Sequence, residues 1–309
     1  MFGKKNNCFV PADVPSKFEN EFCKNYTMIT QNTDHLFLFA CDQKIEHLNA
    51  DFYGERIHPD AAHAEHIFKI ASQSPVGALA THLGLIARYG KQYPTIPYIA
   101  KLNGKTDLIK PEHKDPFSLQ LWRVHDAIKM KEEHNINICG IGLTLYIGSE
   151  YEAEMLQQTA QIIRDAHDVG LIAIIWIYPR GKAISNDQDP ELLAGAVGIA
   201  ASLGADFVKI KAPLDGQGKS SMQWLEIASA AAGNTKIICS GGKQIEAEQL
   251  LKNIHEQITI GKVDGCAVGR NIFQRALPNA IALSKAIAAI VYQGKGVENA
   301  IQIYKGLIS

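Results

Sequence analysis

No uncharged apolar run in the chain reaches the roughly 18 residues that a membrane-spanning helix needs, so no bilayer span is expected. The first residues, MFGKKNNCFVPADVPS, lack the apolar centre of a secretory signal. A basic stripe is also missing. The 31 lysines and arginines stand against 32 aspartates and glutamates, for a formal charge of -1, so the electrostatic footprint of a nucleic-acid binder is absent. Cysteine is sparse, with six in 309 residues and no Cys-x-x-Cys pair. Cys41, Cys139, Cys239 and Cys266 fall inside apolar runs, and the six are read as small thiols of a reducing compartment, in a cytoplasmic protein. A nucleotide P-loop fails as well. Gln217-Gly218-Lys219-Ser220 imitates its end, but Pro213 stands where the pattern needs glycine.

What is present points to one large α/β unit. Hydrophobic residues make up 46% and charged residues 20% of the chain, enough to build an extensive core and too apolar for disorder. Residues 1–35 are polar and mixed and read as an N-terminal extension. From residue 36 to 309 a short apolar run, a turn and a helix-period segment recur. The runs are LFLFACDQ (36–43), VGALATHLG (76–84), YIAKLN (98–103), ICGIGLTLYIG (138–148), LIAIIWIYP (171–179), FVKIKAP (207–213), KIICSGG (236–242) and GCAVGRNIF (265–273). Continuous rather than alternating runs mark parallel strands buried on both faces. Helices are expected over residues 59–72, 149–168, 190–203, 220–232, 245–258 and 277–292. Eight such units predict a (β/α)8 TIM barrel. The rival, a doubly wound open sheet, wants a Gly-rich turn after the first strand, and CDQKIEHLN has no glycine.

A barrel of this kind places chemistry at the C-terminal ends of its strands. Those ends offer Asp42, His82, Lys101, Asn103, Thr144, Tyr146, Trp176, Tyr178, Arg180, Lys209, Lys211, Ser240, Lys243, Arg270 and Asn271. One carboxylate among several cations is a poor metal set. His58, His63 and His66 cluster, with His63 and His66 on one helix face, but on the helix after strand one, and are read as solvated surface. A lysine inside a strand must be paired or neutral. Lys209 is therefore either an activated amine, suited to attack a carbonyl, or the partner of a buried carboxylate such as Asp42. Parity does not separate it from Lys211. Tyr178 at a strand end suits proton transfer, or else packs as a rim aromatic. Ser240, Gly241 and Gly242 after strand seven, with Gly269 and Arg270 after strand eight, form a candidate phosphate site. Lys101 and Lys211 are read as further substrate or phosphate contacts.

The segments WIYPRG (176–181), LGADFVKIK (203–211), CSGGK (239–243) and AVGRNIFQR (267–275), with DQKIEH, KLN and LTLYIGSE in barrel order, resemble archaeal-type class I fructose-bisphosphate aldolases. The resemblance runs from about Leu36 to the C-terminus. It implies a Schiff-base lysine at Lys209, a proton-transferring tyrosine at Tyr178, an active-site tryptophan at Trp176, the strand-one aspartate at Asp42, and phosphate loops at Ser240–Gly242 and Gly269–Arg270. It further implies a phosphorylated sugar substrate, no metal or other cofactor, and a homo-oligomer. The chain departs from the family pattern D-H-G-I-E-H-G at Gln43 and Lys44. That leaves open another phosphorylated ketose or diketone as substrate, and gives Lys44 the choice of contacting a distal phosphate or narrowing the site. A reading of another class is a non-catalytic phosphosugar-binding barrel.

Overall fold

The computed structural model describes residues 8–46, 51–108, 115–214 and 222–308. Its eight barrel strands are β1 (Leu36–Ala40), β2 (Ala78–His82), β3 (Tyr98–Lys101), β4 (Ile138–Ile147), β5 (Ile172–Pro179), β6 (Phe207–Ile210), β7 (Lys236–Ser240) and β8 (Gly265–Val268). Each pairs in parallel with its neighbours in the order β1-β8-β7-β6-β5-β4-β3-β2, and β2 pairs back onto β1 to close the barrel. The continuous apolar runs have a direct cause. Leu36, Leu38, Ala78, Ala80, Ile172, Ile174 and Phe207 fill the barrel interior. Residues of opposite parity, such as Phe37, Phe39 and Leu79, pack under the helices.

The eight strands lie within the eight expected apolar runs, shorter at most of their ends. The last run is the exception. Its final residues, Arg270–Phe273, are a helical turn, because the chain must leave the sheet once past the rim. The helix expected over 59–72 is broken. Pro59–Ala62 is a 3-10 turn, His63 is extended, and α-helix resumes at Glu65–Ser72. His63 and His66 therefore do not share a helix face. His66 is buried, with Nε2 at 3.1 Å from the Arg275 carbonyl, rather than solvated. The helix Pro190–Ser202 starts as its sequence suggests, with Asp189 accepting from the amides of Glu191 and Leu192 ahead of the proline.

The segment before β1 contains helix α1 (Glu19–Thr30). Phe22, Tyr26 and Ile29 of α1 join the interior cluster, and Asn25 donates to the Gly170 carbonyl at 2.8 Å. These contacts lie where the strands begin, so α1 covers the end of the barrel opposite the strand ends that carry the polar residues. Burying Phe22 and Ile29 completely contributes roughly 1.5–3 kcal/mol each. Cys8 and Cys23, read as reduced thiols, are instead paired as a disulfide. The chain folds back onto α1 between them, a juxtaposition that their spacing does not announce. Cys41, Cys139, Cys239 and Cys266 are free and buried. No helix among the described residues is long and apolar enough to cross a membrane.

His167 is fully buried between two carboxylates, with Nδ1 at 2.9 Å from Asp13 and Nε2 at 3.1 Å from Asp206. Burial opposes its charge, but Asp206 and then Asp13 outweigh it and raise the imidazole to about 9. Burial in turn holds Asp206 above the usual carboxylate range, with His167 pulling it back. Because the folded value of His167 exceeds the unfolded ~6.5, its contribution is complete below that value and is lost as pH rises through about 9. The melting-temperature difference between wild type and His167→Asn should therefore narrow as pH rises from about 7 to about 10. A constant difference would show that the ring is neutral. Comparing the two proteins also removes the opposite trend expected from any lysine held below its ordinary value.

Candidate active site

The strand ends converge on a cavity of about 640 Å³, lined by Asp42, Trp176, Tyr178, Lys209, Ser240 and Arg270 among others. Trp176 and Lys209 are register partners across β5 and β6, and Thr144 is the partner of Trp176 on β4. A Cβ at Gly142 would fall 2.4 Å from an indole carbon of Trp176, so glycine is what admits the ring. Both ammonium groups lie over that ring, Lys209 Nζ at 5.2 Å and Lys101 Nζ at 5.5 Å from its centroid. The indole N–H of Trp176 is buried without an acceptor among the described residues.

Lys101, expected as a substrate or phosphate contact, is held by other protein groups. It is fully buried and is not part of the cavity lining. Its Nζ lies 3.0 Å from Glu46, 3.7 Å from Asp42 and 2.7 Å from Thr144 Oγ1. An ammonium with no access to water needs such partners, and removing one side of a buried pair costs about 3–5 kcal/mol. Thr144 Oγ1 donates onward to Glu46 at 3.2 Å. Asn103 stitches the backbone of Thr144 on both sides, donating to its carbonyl at 2.8 Å and accepting from its amide at 2.7 Å. The reading of strand ends passes over Glu46, although the sequence carries a signal for it. It lies four residues after Asp42, at the end of the helical turn α2 (Gln43–Glu46), a spacing that aligns side chains on one helix face.

The charges set the protonation states. Burial lowers Lys209 to about 8; Asp42 and Glu46 push it up, while Lys101 and Arg270 push it down. Burial raises Asp42, but Lys101, then Lys209 and His82, outweigh it and keep the carboxyl below its usual range. His82 is driven down to about 4 by burial and by Lys101, so it is neutral near pH 7. Burial, then Asp42 and Glu46, raise Tyr178 above an ordinary phenol and hold it protonated. The result is an amine that is neutral in about one molecule in ten at pH 7, beside an ionised carboxylate and a neutral phenol.

The two glycine-bearing loops lie side by side. Gly242 adopts φ +69°, a left-handed conformation that favours glycine, and a Cβ on Gly241 would press within 3.2 Å of Val268. The fully buried Asn271 ties them together: Nδ2 donates to the carbonyls of Gly241 and Lys243, each at 2.9 Å, and Oδ1 accepts from Ile245 N at 2.9 Å. The sequence alone marks Asn271 only as a polar residue at a strand end. Arg270 lines the cavity and lies 3.5 Å from Asp51. Lys211 and Arg180 both line the cavity and both pair with Asp187. Lys44 does not line it. Its Nζ donates to the Ala62 carbonyl at 2.9 Å and sits over Phe52. The Gln43 side chain, His47 and the Gln217–Ser220 segment lie outside the described residues. Among the described residues, no group of three or more His, Cys, Asp or Glu is arranged to hold a metal ion.

The family model described as DeoC/LacD family aldolase matches residues 36–275. A protein of Methanocaldococcus jannaschii, named fructose-bisphosphate aldolase/6-deoxy-5-ketofructose 1-phosphate synthase, is 49% identical over 303 residues, covering 98% of this chain and 96% of its own. The solved fructose-bisphosphate aldolase of Slackia heliotrinireducens superposes with a TM-score of 0.95 at 46% identity, over 98% of this chain and 96% of its own. An archaeal fructose-1,6-bisphosphate aldolase, solved with its catalytic lysine covalently bound to the carbinolamine intermediate, superposes at 0.74 with 30% identity, over 88% of this chain and 99% of its own.

Proposed function

This chain belongs to the DeoC/LacD family of aldolases, and we propose that it reversibly cleaves fructose 1,6-bisphosphate to dihydroxyacetone phosphate and glyceraldehyde 3-phosphate through an imine on Lys209. The observation that carries the proposal is the Lys209 ammonium, buried beside Asp42 and Trp176 in the cavity wall and lowered to about 8. In the neutral form it attacks the C2 ketone. Tyr178, held as a neutral phenol, gives its proton to the carbinolamine hydroxyl, which leaves as water. The products are an iminium on Lys209 and a phenolate on Tyr178, so the net charge of the site does not change. The phenolate then takes the C4 hydroxyl proton as the C3–C4 bond breaks, and the bonding electrons flow into the iminium to form the enamine. Protonation of the enamine at C3 and hydrolysis of the imine release dihydroxyacetone phosphate. The iminium is the electron sink, so the step draws on no metal. Asp42 stays ionised and balances the cationic intermediate, and the indole N–H of Trp176 is available to a substrate oxygen. Ser240, Gly241, Gly242, Gly269 and Arg270 take one phosphate, which holds the ketone beside the amine. Lys211 and Arg180 supply charge for the other.

The same reading gives one catalytic barrel over residues 36–309, residues 1–35 as its extension, and a cytoplasmic homo-oligomer working in glycolysis or gluconeogenesis. Borohydride trapping across a panel of phosphorylated ketoses and diketones tests the substrate. We expect adduct formation with fructose 1,6-bisphosphate and dihydroxyacetone phosphate, and aldehyde release from the former. Trapping without cleavage of the bisphosphate would move the enzyme to another phosphorylated ketose. No trapping with any member would favour a binding protein.

A further inference from the structure

We propose that Asp187 is an internal stand-in for the aldehyde-side phosphate, holding Arg180 and Lys211 until a second phosphate displaces it, and so sets how strongly the enzyme prefers a bisphosphate to a monophosphate. The inference rests on the reading above, in that it takes the cavity to receive a sugar with two phosphates. The geometry behind it is specific. One carboxylate oxygen, Asp187 Oδ2, meets both cations, Arg180 Nη2 at 3.3 Å and Lys211 Nζ at hydrogen-bonding distance. The two cations come from different strands, Arg180 from just past β5 and Lys211 from just past β6, and both line the cavity that holds Lys209. Two cations from separate elements converging on one anion is the arrangement that a phosphate dianion also satisfies.

Asp187 lies on a loop that is itself held across the mouth. Gln188 donates to the Ala212 carbonyl at 2.8 Å, Leu214 N donates to Gln188 O at 3.0 Å, and the Lys182 amide reaches Asp115. Ile184 fills the space where a Cβ on Gly148 would fall, 2.7 Å away. These contacts within the chain fix where the carboxylate sits. It stays ionised, because Lys211 and Arg180 outweigh the burial that would raise it. Arg180 also lies over the rings of Tyr146 and Tyr178, at 5.7 and 5.8 Å from their centroids. A phosphate that draws Arg180 away from Asp187 thus acts on a guanidinium already resting on the proton-transferring phenol.

The stand-in costs the bisphosphate some affinity and costs a substrate that lacks the second phosphate nothing. Asp187→Asn keeps the shape and removes the charge. We expect the KM for fructose 1,6-bisphosphate to fall roughly five- to tenfold, with the KM for fructose 1-phosphate within about twofold of wild type. Inorganic phosphate should bind the variant more tightly by calorimetry, and that gain should vanish in Asp187→Asn/Arg180→Gln, which separates this end of the cavity from the Ser240 loop. If Asp187→Asn melts early, Asp187→Ser serves the same comparison. An unchanged or raised KM for the bisphosphate, or no gain in phosphate affinity, would overturn the proposal by showing that Asp187 merely orients the two cations. The phosphate titration does not depend on turnover. If neither sugar is cleaved yet phosphate binding tightens as described, the aldolase reading fails while the competition at Arg180 and Lys211 stands.

Discussion

Lys209→Met should form no borohydride-stable adduct with dihydroxyacetone phosphate and should lose turnover by roughly five orders of magnitude or more, because the carbonyl then has no amine to accept it. Methionine is close to lysine in volume and carries no charge, so Asp42, Lys101 and Trp176 keep their packing and the loss is chemical. Mass mapping of the wild-type adduct should find it on Lys209. An adduct on Lys211 or Lys101 would break the assignment, since Lys211 is engaged by Asp187 and Lys101 by two carboxylates and Thr144. The pH dependence follows from the same amine. With Lys209 lowered to about 8, kcat/KM should rise with pH and level off above that value. Asp42→Asn, which removes a group that pushes Lys209 upward, should move the rise to lower pH.

Tyr178→Phe should separate imine formation from carbon–carbon cleavage. The phenol is raised by burial and by Asp42 and Glu46, so it is a reluctant acid at rest and a strong base once it has given up its proton. Without it, the adduct with dihydroxyacetone phosphate should still accumulate during long trapping, because solvent can serve the dehydration slowly. Cleavage of fructose 1,6-bisphosphate should fall by about 10²–10⁴-fold, the usual loss for a positioned proton-transfer group. Turnover unchanged in this variant would remove Tyr178 from the chemistry and leave it a packed rim aromatic beside Tyr146.

What the sequence determined by itself was the barrel, the strand ends and the principal residues at them. Burial on both faces demands continuous apolar runs, and a polar residue can end such a run only at the rim; both constraints are local and visible in one dimension. For that reason FVKIKAP and LIAIIWIYP place Lys209, Lys211, Trp176 and Tyr178 at strand ends, the family resemblance singles out Lys209 from Lys211, and the paired small-residue loops mark a candidate phosphate site. The tertiary structure decided the partners. Lys101 and Lys209 look alike as lysines at the ends of strands. Only the fold brings Glu46 from after β1 and Thr144 from β4 to enclose Lys101, while Lys209 is left on the cavity wall. Asn271 on the loops, Asp187 on Arg180 and Lys211, His167 between Asp13 and Asp206, and the pairing of Cys8 with Cys23 are of the same kind. Charge and hydrogen bonding act through space over a few ångströms, and spacing along the chain records that distance only where both groups share one regular element. Asp42, the residue just before α2, and Glu46 at its end come nearest to such a pair; the others meet across loops or separate elements.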